Sequence, residues 1–315
     1  MAHLENARMI VFRAVAQQLS FRKAAEELYL TQPAVSLQVK ALEEDLGVQL
    51  FDRTGSRVAL TAAGEVLRDY AERASALLQD AEHAIAAMGG ELAGQLTLGA
   101  STTIAQYVLP RMLGEFLAGH SRVQPSLMSG NTERIVEAVG KHEIALGFIE
   151  GPSRSRDVKS ESFLIDELVL IVPAAHEWAE RTRIPPRELN QVPLLMRERG
   201  SGTRHVVEMA LERHHLKLAS LRFAMELDST EAIKSAVEAG LGAGFVSKWA
   251  IAKDARTGGS FRVVELEGVT IERDFLMVYA AGPEPQGVVQ EFRRFVTNRA
   301  AMMRARAISR RKQGA

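Results

Sequence analysis

The sequence predicts an α/β chain in three parts: an N-terminal winged helix-turn-helix, a long linker helix and a two-lobed α/β domain. Three patterns carry that expectation. Residues 20–53 read SFRKAAEELYLTQPAVSLQVKALEEDLGVQLFDR, whose periodicity gives a short helix, a tight connection, a longer helix and the start of a hairpin. Leu67, Tyr70, Ala74, Leu77, Ala81, Ala84 and Met88 then recur at alternating spacings of three and four, a heptad stripe. From Gln95 onward, strand and helix patterns alternate in two successive βαβαβ units.

Leu4 to Leu19 is expected as the first helix, with Phe12, Val15, Ala16 and Leu19 as scaffold. Ser20 caps the second helix, whose Ala24, Ala25 and Leu28 let it cross its neighbour closely. In the longer helix Val35, Val39, Leu42 and Leu46 share one inward face, Thr31 is the cap, and Pro33 falls in the first turn, where a missing N–H costs nothing. The outward face carries Gln32, Ser36 and Lys40. Beside Pro33, these polar side chains can reach base edges and phosphates when such a helix enters the major groove.

Leu50 to Leu60 reads as the hairpin, with Thr54-Gly55-Ser56 as its turn. Arg53 and Arg57 lie on it, placed for phosphate or minor-groove contact. Arg22 and Lys23 read either as phosphate contacts or as a solvated face. The expected partner is double-stranded DNA. Lys plus Arg and Asp plus Glu both count 39 in the 315 residues, so binding has to come from this local patch and not from net charge.

The run Ser20-Phe21, Ala24-Ala25, Leu28, Thr31-Gln32-Pro33-Ala34-Val35-Ser36, Leu42-Glu43, Leu46-Gly47, Leu50-Phe51, Arg53 and Leu60-Thr61-Ala62-Ala63-Gly64 resembles the LysR-type transcriptional regulators. Leu37 departs from the pattern, since many members carry Arg there. The resemblance implies a linker helix that pairs with another subunit's, a periplasmic-binding-protein-like effector domain, a small-molecule co-inducer and no other cofactor. It also implies a homodimer or homotetramer and RNA polymerase as a partner. The SGN, IEGP and RERGSGTR stretches look most similar to regulators of sulfur assimilation, with carbon-fixation regulators as the alternative.

Thr61 is expected to cap the linker helix, and Gly89, Gly90 and Gly94 to form a hinge after it. The stripe of Leu67, Tyr70, Ala74, Leu77, Ala81 and Met88 favours pairing with a second copy over packing on its own domain. The expected domains are 1–60, 61–90 and 91–315. In the last, one lobe covers about 91–165 and 270–303, and the other about 166–269. Residues 161–173 and 261–280 read as the crossovers between lobes, and a helix from Gln286 to Met303 closes the domain.

Ligands of open α/β sheets lie beyond the carboxyl ends of strands, near helix N-termini that favour anions. Ser101, Thr102 and Thr103 after one strand, Ser129, Asn131 and Thr132 after the next, and Ser201, Gly202, Thr203 and Arg204 in the other lobe meet that description. Plain helix capping is the competing reading of each stretch. Together they predict a small anion, or a metabolite with an anionic group, held by neutral donors, with charge added by Arg204. Glu150 reads as a lid or selectivity residue, or as part of a turn before Gly151-Pro152. Gly240-Leu-Gly-Ala-Gly244 precedes a strand and is read as close packing and not as a phosphate loop.

No GxSxG surrounds Ser201, no HExxH occurs, and His214-His215 lacks further ligand spacing, so the chain is read as a regulator and not an enzyme. Cysteine is absent, which excludes disulfides and thiolate chemistry. The start MAHLENARMIVF has no export signal and no stretch is apolar enough to span a membrane, so a cytoplasmic chain is expected, and a solute-binding protein is disfavoured. The basic tail, 304–315, reads as solvated and partly disordered, with nucleic-acid contact as the alternative.

Overall fold

The computed structural model describes residues 5–53, 58–87, 92–153, 155–216, 218–252 and 259–313. The chain divides into two compact units, Met1–Glu91 with Lys141–Glu143, and Leu92–Gly140 with Ile144–Ala315.

In the first unit, α1 (Ala7–Gln18), α2 (Phe21–Glu27) and α3 (Gln32–Leu46) each begin at a side-chain cap. Asn6, Ser20 and Thr31 accept from the N–H of Arg8, Lys23 and Ala34, satisfying donors that helix starts leave open. Phe12, Val15, Ala24, Val35, Val39 and Phe51 form the core. Two expectations fail here. Leu19 takes a left-handed φ of 45° and is 49% exposed, so it ends α1 instead of supporting the head. Leu46 is exposed where Gly47, at φ 67°, terminates α3 directly after it, and among the described residues no element covers the last turn.

The wing forms within the predicted hairpin: β1 (Phe51–Asp52) pairs antiparallel with β2 (Ala59–Leu60). Its turn, Thr54-Gly55-Ser56, and Arg57 lie outside the described residues, as do Met88, Gly89 and Gly90. α4 (Ala62–Ala87) starts at Thr61, whose Oγ1 accepts from Gly64 N–H at 3.0 Å. Its stripe divides between two roles. Leu67 packs with buried Ala71 on the first unit's own core, while Tyr70 (63%) and Leu77 (61%) stay exposed along with Ala74 and Ala81.

In the second unit, β3 (Ala93–Ser101) pairs in parallel with both β4 (Arg122–Gly130) and β5 (Leu146–Glu150), with α5 (Leu109–Gly119) and α6 (Thr132–Gly140) as crossovers. β8 (Leu194–Arg197) pairs in parallel with β9 (Phe223–Leu227) and β10 (Ala243–Ser247), through α7 (Gly202–Arg213) and α8 (Thr230–Glu238). Two long strands join these lobes, as the sequence led us to expect. β6 (Val158–Pro173) and β12 (Ile271–Ala280) run antiparallel, with Ile271 opposite Leu168 and Ala280 opposite Val158. The sheet order is β4-β3-β5-β12-β6-β10-β8-β9. β11 (Phe261–Leu266) also pairs with β6, β7 (Arg183–Ile184) pairs with β11, and the short α9 (Lys248–Ile251) follows β10.

Helices cover both faces, which is why these strands read as nearly continuous apolar runs. α5 and the last helix, α10 (Gly287–Gln313), bury Leu98, Phe148, Phe163, Phe275 and Phe292, while α6 covers the opposite face through Ile135 and Val139. In the other lobe Leu170, Trp178 and Val206 fill one face and Ile233, Val237 and Val246 the other. The glycines before Phe245 serve packing: a Cβ on Gly242 would meet Pro193 O at 2.3 Å. Gly94 belongs to β3, paired with Val123, and is not a free hinge. The basic tail is also corrected, because α10 continues through it to Gln313.

Candidate functional site

In the first unit, α3 presents Gln32, Pro33 and Lys40 to solvent, with Ser36 half-buried and Leu37 66% exposed among them. Arg22 and Lys23 are exposed on α2. Arg22 lies 3.7 Å from Glu26 and Lys40 lies 3.7 Å from Glu44, surface pairs that a phosphate can open at little cost. Arg53 is held more firmly: its guanidinium is 3.2 Å from Glu43 and stacks 4.6 Å over Phe21. Glu43 also accepts from Leu50 N–H at 2.8 Å and Phe51 N–H at 3.2 Å, so one carboxylate on α3 fastens the base of the wing. The helical pattern showed Glu43 only as a member of a motif, and its partners became visible on folding.

The second unit brings the strand ends together across its two lobes. Ser101 Oγ donates to Glu150 Oε1 at 2.8 Å and Thr103 N–H to the same oxygen at 3.1 Å. From α7, Thr203 Oγ1 donates to Glu150 Oε2 at 2.7 Å, and Arg273 Nη1 lies 2.5 Å from that oxygen. Arg273 Nε continues to Asp166 Oδ2 at 2.8 Å, and Ser247 Oγ to Asp166 Oδ1 at 2.6 Å. Burial pushes the Glu150 carboxyl up, but Arg273, Thr203, Ser101 and Arg197 outweigh it and hold it at about 2. Burial raises Asp166, beyond what Arg273 and Ser247 offset. Glu150 is 2% exposed at the end of β5, so it is neither a lid nor a turn residue: it is an internal anion where the two lobes meet.

Gly202 makes this geometry possible, because a Cβ there would lie 1.9 Å from Glu150 O. The start of α7 therefore meets the end of β5 directly. Thr132 Oγ1 donates to Glu150 O at 3.3 Å, while Asn131 caps α6 by accepting from Arg134 N–H at 2.9 Å and donates across to Arg199 O at 3.4 Å. Ser201 is buried and makes no side-chain cap, whereas Ser129 stays exposed on β4. Arg204 does not add charge to the cleft. Its guanidinium pairs with Glu208 at 2.8 Å and Glu226 at 2.5 Å, and it lines a separate recess of about 250 Å³ with Met196, Phe223, Ala224, Met225 and Glu226.

The expectation of neutral donors without a full cation is overturned. Arg273 and Arg197 are both buried here, and neither was among the expected site residues. Arg197, at the end of β8, donates through Nη1 to Thr102 Oγ1 at 3.0 Å in one lobe and Thr230 Oγ1 at 3.5 Å in the other. Arg197 opens the RERGSGTR stretch, whose expected site residues begin only at Ser201, and Arg273 lies inside an apolar crossover strand with no local signal of its role.

Two family models match these units. The bacterial regulatory helix-turn-helix protein, lysR family, covers residues 7–65, and the LysR substrate binding domain covers residues 89–301. The chain belongs to the LysR family. Among LysR relatives it is similar to the HTH-type transcriptional activator CmpR of Synechocystis sp., with 36% identity over 282 residues, 90% of this chain and 91% of that one. It is similar to the RuBisCO operon transcriptional regulator of Allochromatium vinosum, with 33% identity over 304 residues, 96% and 99% of the two chains. Its effector domain is similar to the Synechocystis CcmR regulatory domain in complex with 2-PG, at TM-score 0.60 and 30% identity, covering 66% of this chain and 97% of that one. This LysR chain is a DNA-binding transcriptional regulator with an effector-binding domain. No described helix is long and apolar enough to cross a membrane.

Proposed function

We infer that the chain regulates carbon-fixation genes in response to a small anionic metabolite, bound where the strand end at 101–103 of one lobe meets the segment 197–203 of the other. The observation that carries this reading is the buried Arg197 at the end of β8, which bonds Thr102 in the other lobe. A buried cation at a topological crevice is a natural anion receptor. The pathway rests on relatives named for the RuBisCO operon over nearly their whole length, and on the 2-PG complex of the similar CcmR domain. These favour carbon fixation over the sulfur-assimilation reading.

Gln32, Ser36, Lys40 and Arg53, with Arg22 and Lys23 flanking, form the proposed DNA contact. The exposed stripe Tyr70, Ala74, Leu77 and Ala81 pairs two copies. The test is a thermal-shift and footprinting series on the full chain with the host's RuBisCO promoter, using 2-PG, sulfate and thiosulfate. A footprint changed by 2-PG supports the reading. A response to the sulfur anions alone overturns it in favour of sulfur metabolism.

A further inference from the structure

Resting on the anionic-effector reading above, we propose that Arg197 is the residue that receives the effector's oxyanion, and that Glu198 is the internal carboxylate the effector displaces. The deeper part of the cleft is already committed. Ser101, Thr103, Thr203 and Arg273 all point at Glu150, an ionised group out of reach of solvent. A second anion there would meet Glu150 as a like charge in a region of low dielectric.

Arg197 differs in one respect. All five of its N–H groups are engaged, but two of them hold a group that can leave. Nε donates to Glu198 Oε2 at 2.8 Å and Nη2 to Glu198 Oε1 at 3.0 Å, the parallel fork by which guanidinium recognises a planar oxyanion. The Glu198 side chain is 19% exposed while that of Arg197 is 3%, so Glu198 can rotate towards water and Arg197 cannot. The remaining donors, to Thr102, Thr230 and Asp228 O at 3.1 Å, keep the guanidinium oriented when Glu198 moves. The vacated fork takes a carboxylate or a phosphate group of a small metabolite.

Displacement has a structural consequence. The loop that carries Glu198 is strapped to the other lobe by Asn131 Nδ2 donating to Arg199 O and by Glu133 N–H donating to Gly200 O at 3.2 Å. A ligand on Arg197 sits two residues before the segment that these two bonds hold, so the position of that segment is where bound and free states are expected to differ. Differential affinity for two such states is what lets a ligand act as a signal.

The test is calorimetric titration of the full chain with 2-PG, malonate and inorganic phosphate, the last two separating carboxylate from phosphate recognition. Glu198→Gln removes the competing charge and is expected to tighten binding of the preferred probe by roughly threefold or more. Arg197→Lys keeps the charge but loses the fork and is expected to weaken it by roughly tenfold or more. Thermal melting establishes that Arg197→Lys is folded, and if it is not, Glu198→Gln decides alone. Wild-type binding that Glu198→Gln leaves within about twofold overturns the displacement while sparing the effector reading. A wild-type chain that binds none of the three probes overturns the reading and the proposal together.

Discussion

Arg273 Nη1 lies 2.5 Å from Glu150 Oε2 with neither side chain open to solvent, and this ion pair joins a crossover strand to the end of a strand in the first lobe. Asp166 shares the same arginine from the neighbouring crossover strand, 2.7 Å from Nη2. Removing Glu150 takes one of the two carboxylates from the buried Arg273 and leaves the donors of Ser101, Thr103 and Thr203 without their acceptor. Glu150→Ala is therefore expected to lower the unfolding free energy by about 3–5 kcal/mol in denaturant titration. A loss under about 1 kcal/mol would mean that water reaches Arg273 and replaces the carboxylate.

The two carboxylates respond to acid in opposite directions. Glu150 is depressed from 4.5 to about 2, so its ionised form contributes stability that is complete above 4.5 and is lost as pH falls towards about 2. Asp166 is raised above 3.8 by burial, so its contribution is present below that value and is lost as pH rises through its folded value. Glu150 should supply on the order of 3 kcal/mol of the acid-side loss. Unfolding midpoints measured from pH 5 to pH 2 are expected to fall less steeply in Glu150→Gln than in wild type. An equally steep acid limb in the variant would assign the loss to other groups.

Base reading and phosphate binding should separate on α3 and the wing. Gln32→Ala is expected to relax sequence preference at one position by about 1–3 kcal/mol, measured against random DNA. Arg53→Ala is expected to weaken all sequences alike and flatten the salt dependence, although part of its effect passes through the wing that Glu43 fastens. Equal losses on specific and random DNA for Gln32→Ala would remove it from the base-reading set.

Leu77 is 61% exposed on α4, and pairing with a second copy would bury it. Leu77→Glu would then place a charge without a partner in an apolar seam, so the dimer is expected to dissociate and operator affinity to fall with it. Sedimentation velocity checks the first outcome and footprinting the second. An unchanged oligomer in the variant would rule out this stripe as the seam.

Thr102 and Thr203 stand on opposite sides of the cleft with different partners, Arg197 and Glu150. Thr102→Ala is expected to abolish the effector's influence on the DNA footprint, with DNA affinity in the absence of effector nearly unchanged, whereas Thr203→Ala acts on the internal carboxylate and is expected to lower stability first. A footprint of Thr102→Ala that still responds normally would move the site away from Arg197 and this strand end.

Much of the architecture was legible because its signals are local. Ser20, Thr31 and Thr61 cap helices three residues ahead, Pro33 sits where no N–H is needed, and the apolar faces of α3 and α8 repeat at helical spacing. The same locality explains two failures. Leu19 and Leu46 continue an apolar pattern, but the helices end beside them, and periodicity cannot reveal that nothing packs against a last turn.

The sequence by itself determined the reading head, the linker helix, the alternation that builds two lobes and the hydroxyl-bearing strand ends that line the cleft, since each depends on residues within a turn or a strand of one another. Only the tertiary structure decided what those hydroxyls bind. Ser101 reaches Glu150 across 49 positions and Arg273 reaches it across 123, and no local pattern encodes a partner at that separation. Hydroxyls at a helix start suit an external anion or an internal carboxylate equally well. Chain topology chose between them, because β5 and β12 are adjacent in the sheet and bring a buried carboxylate and a buried guanidinium to the same strand end.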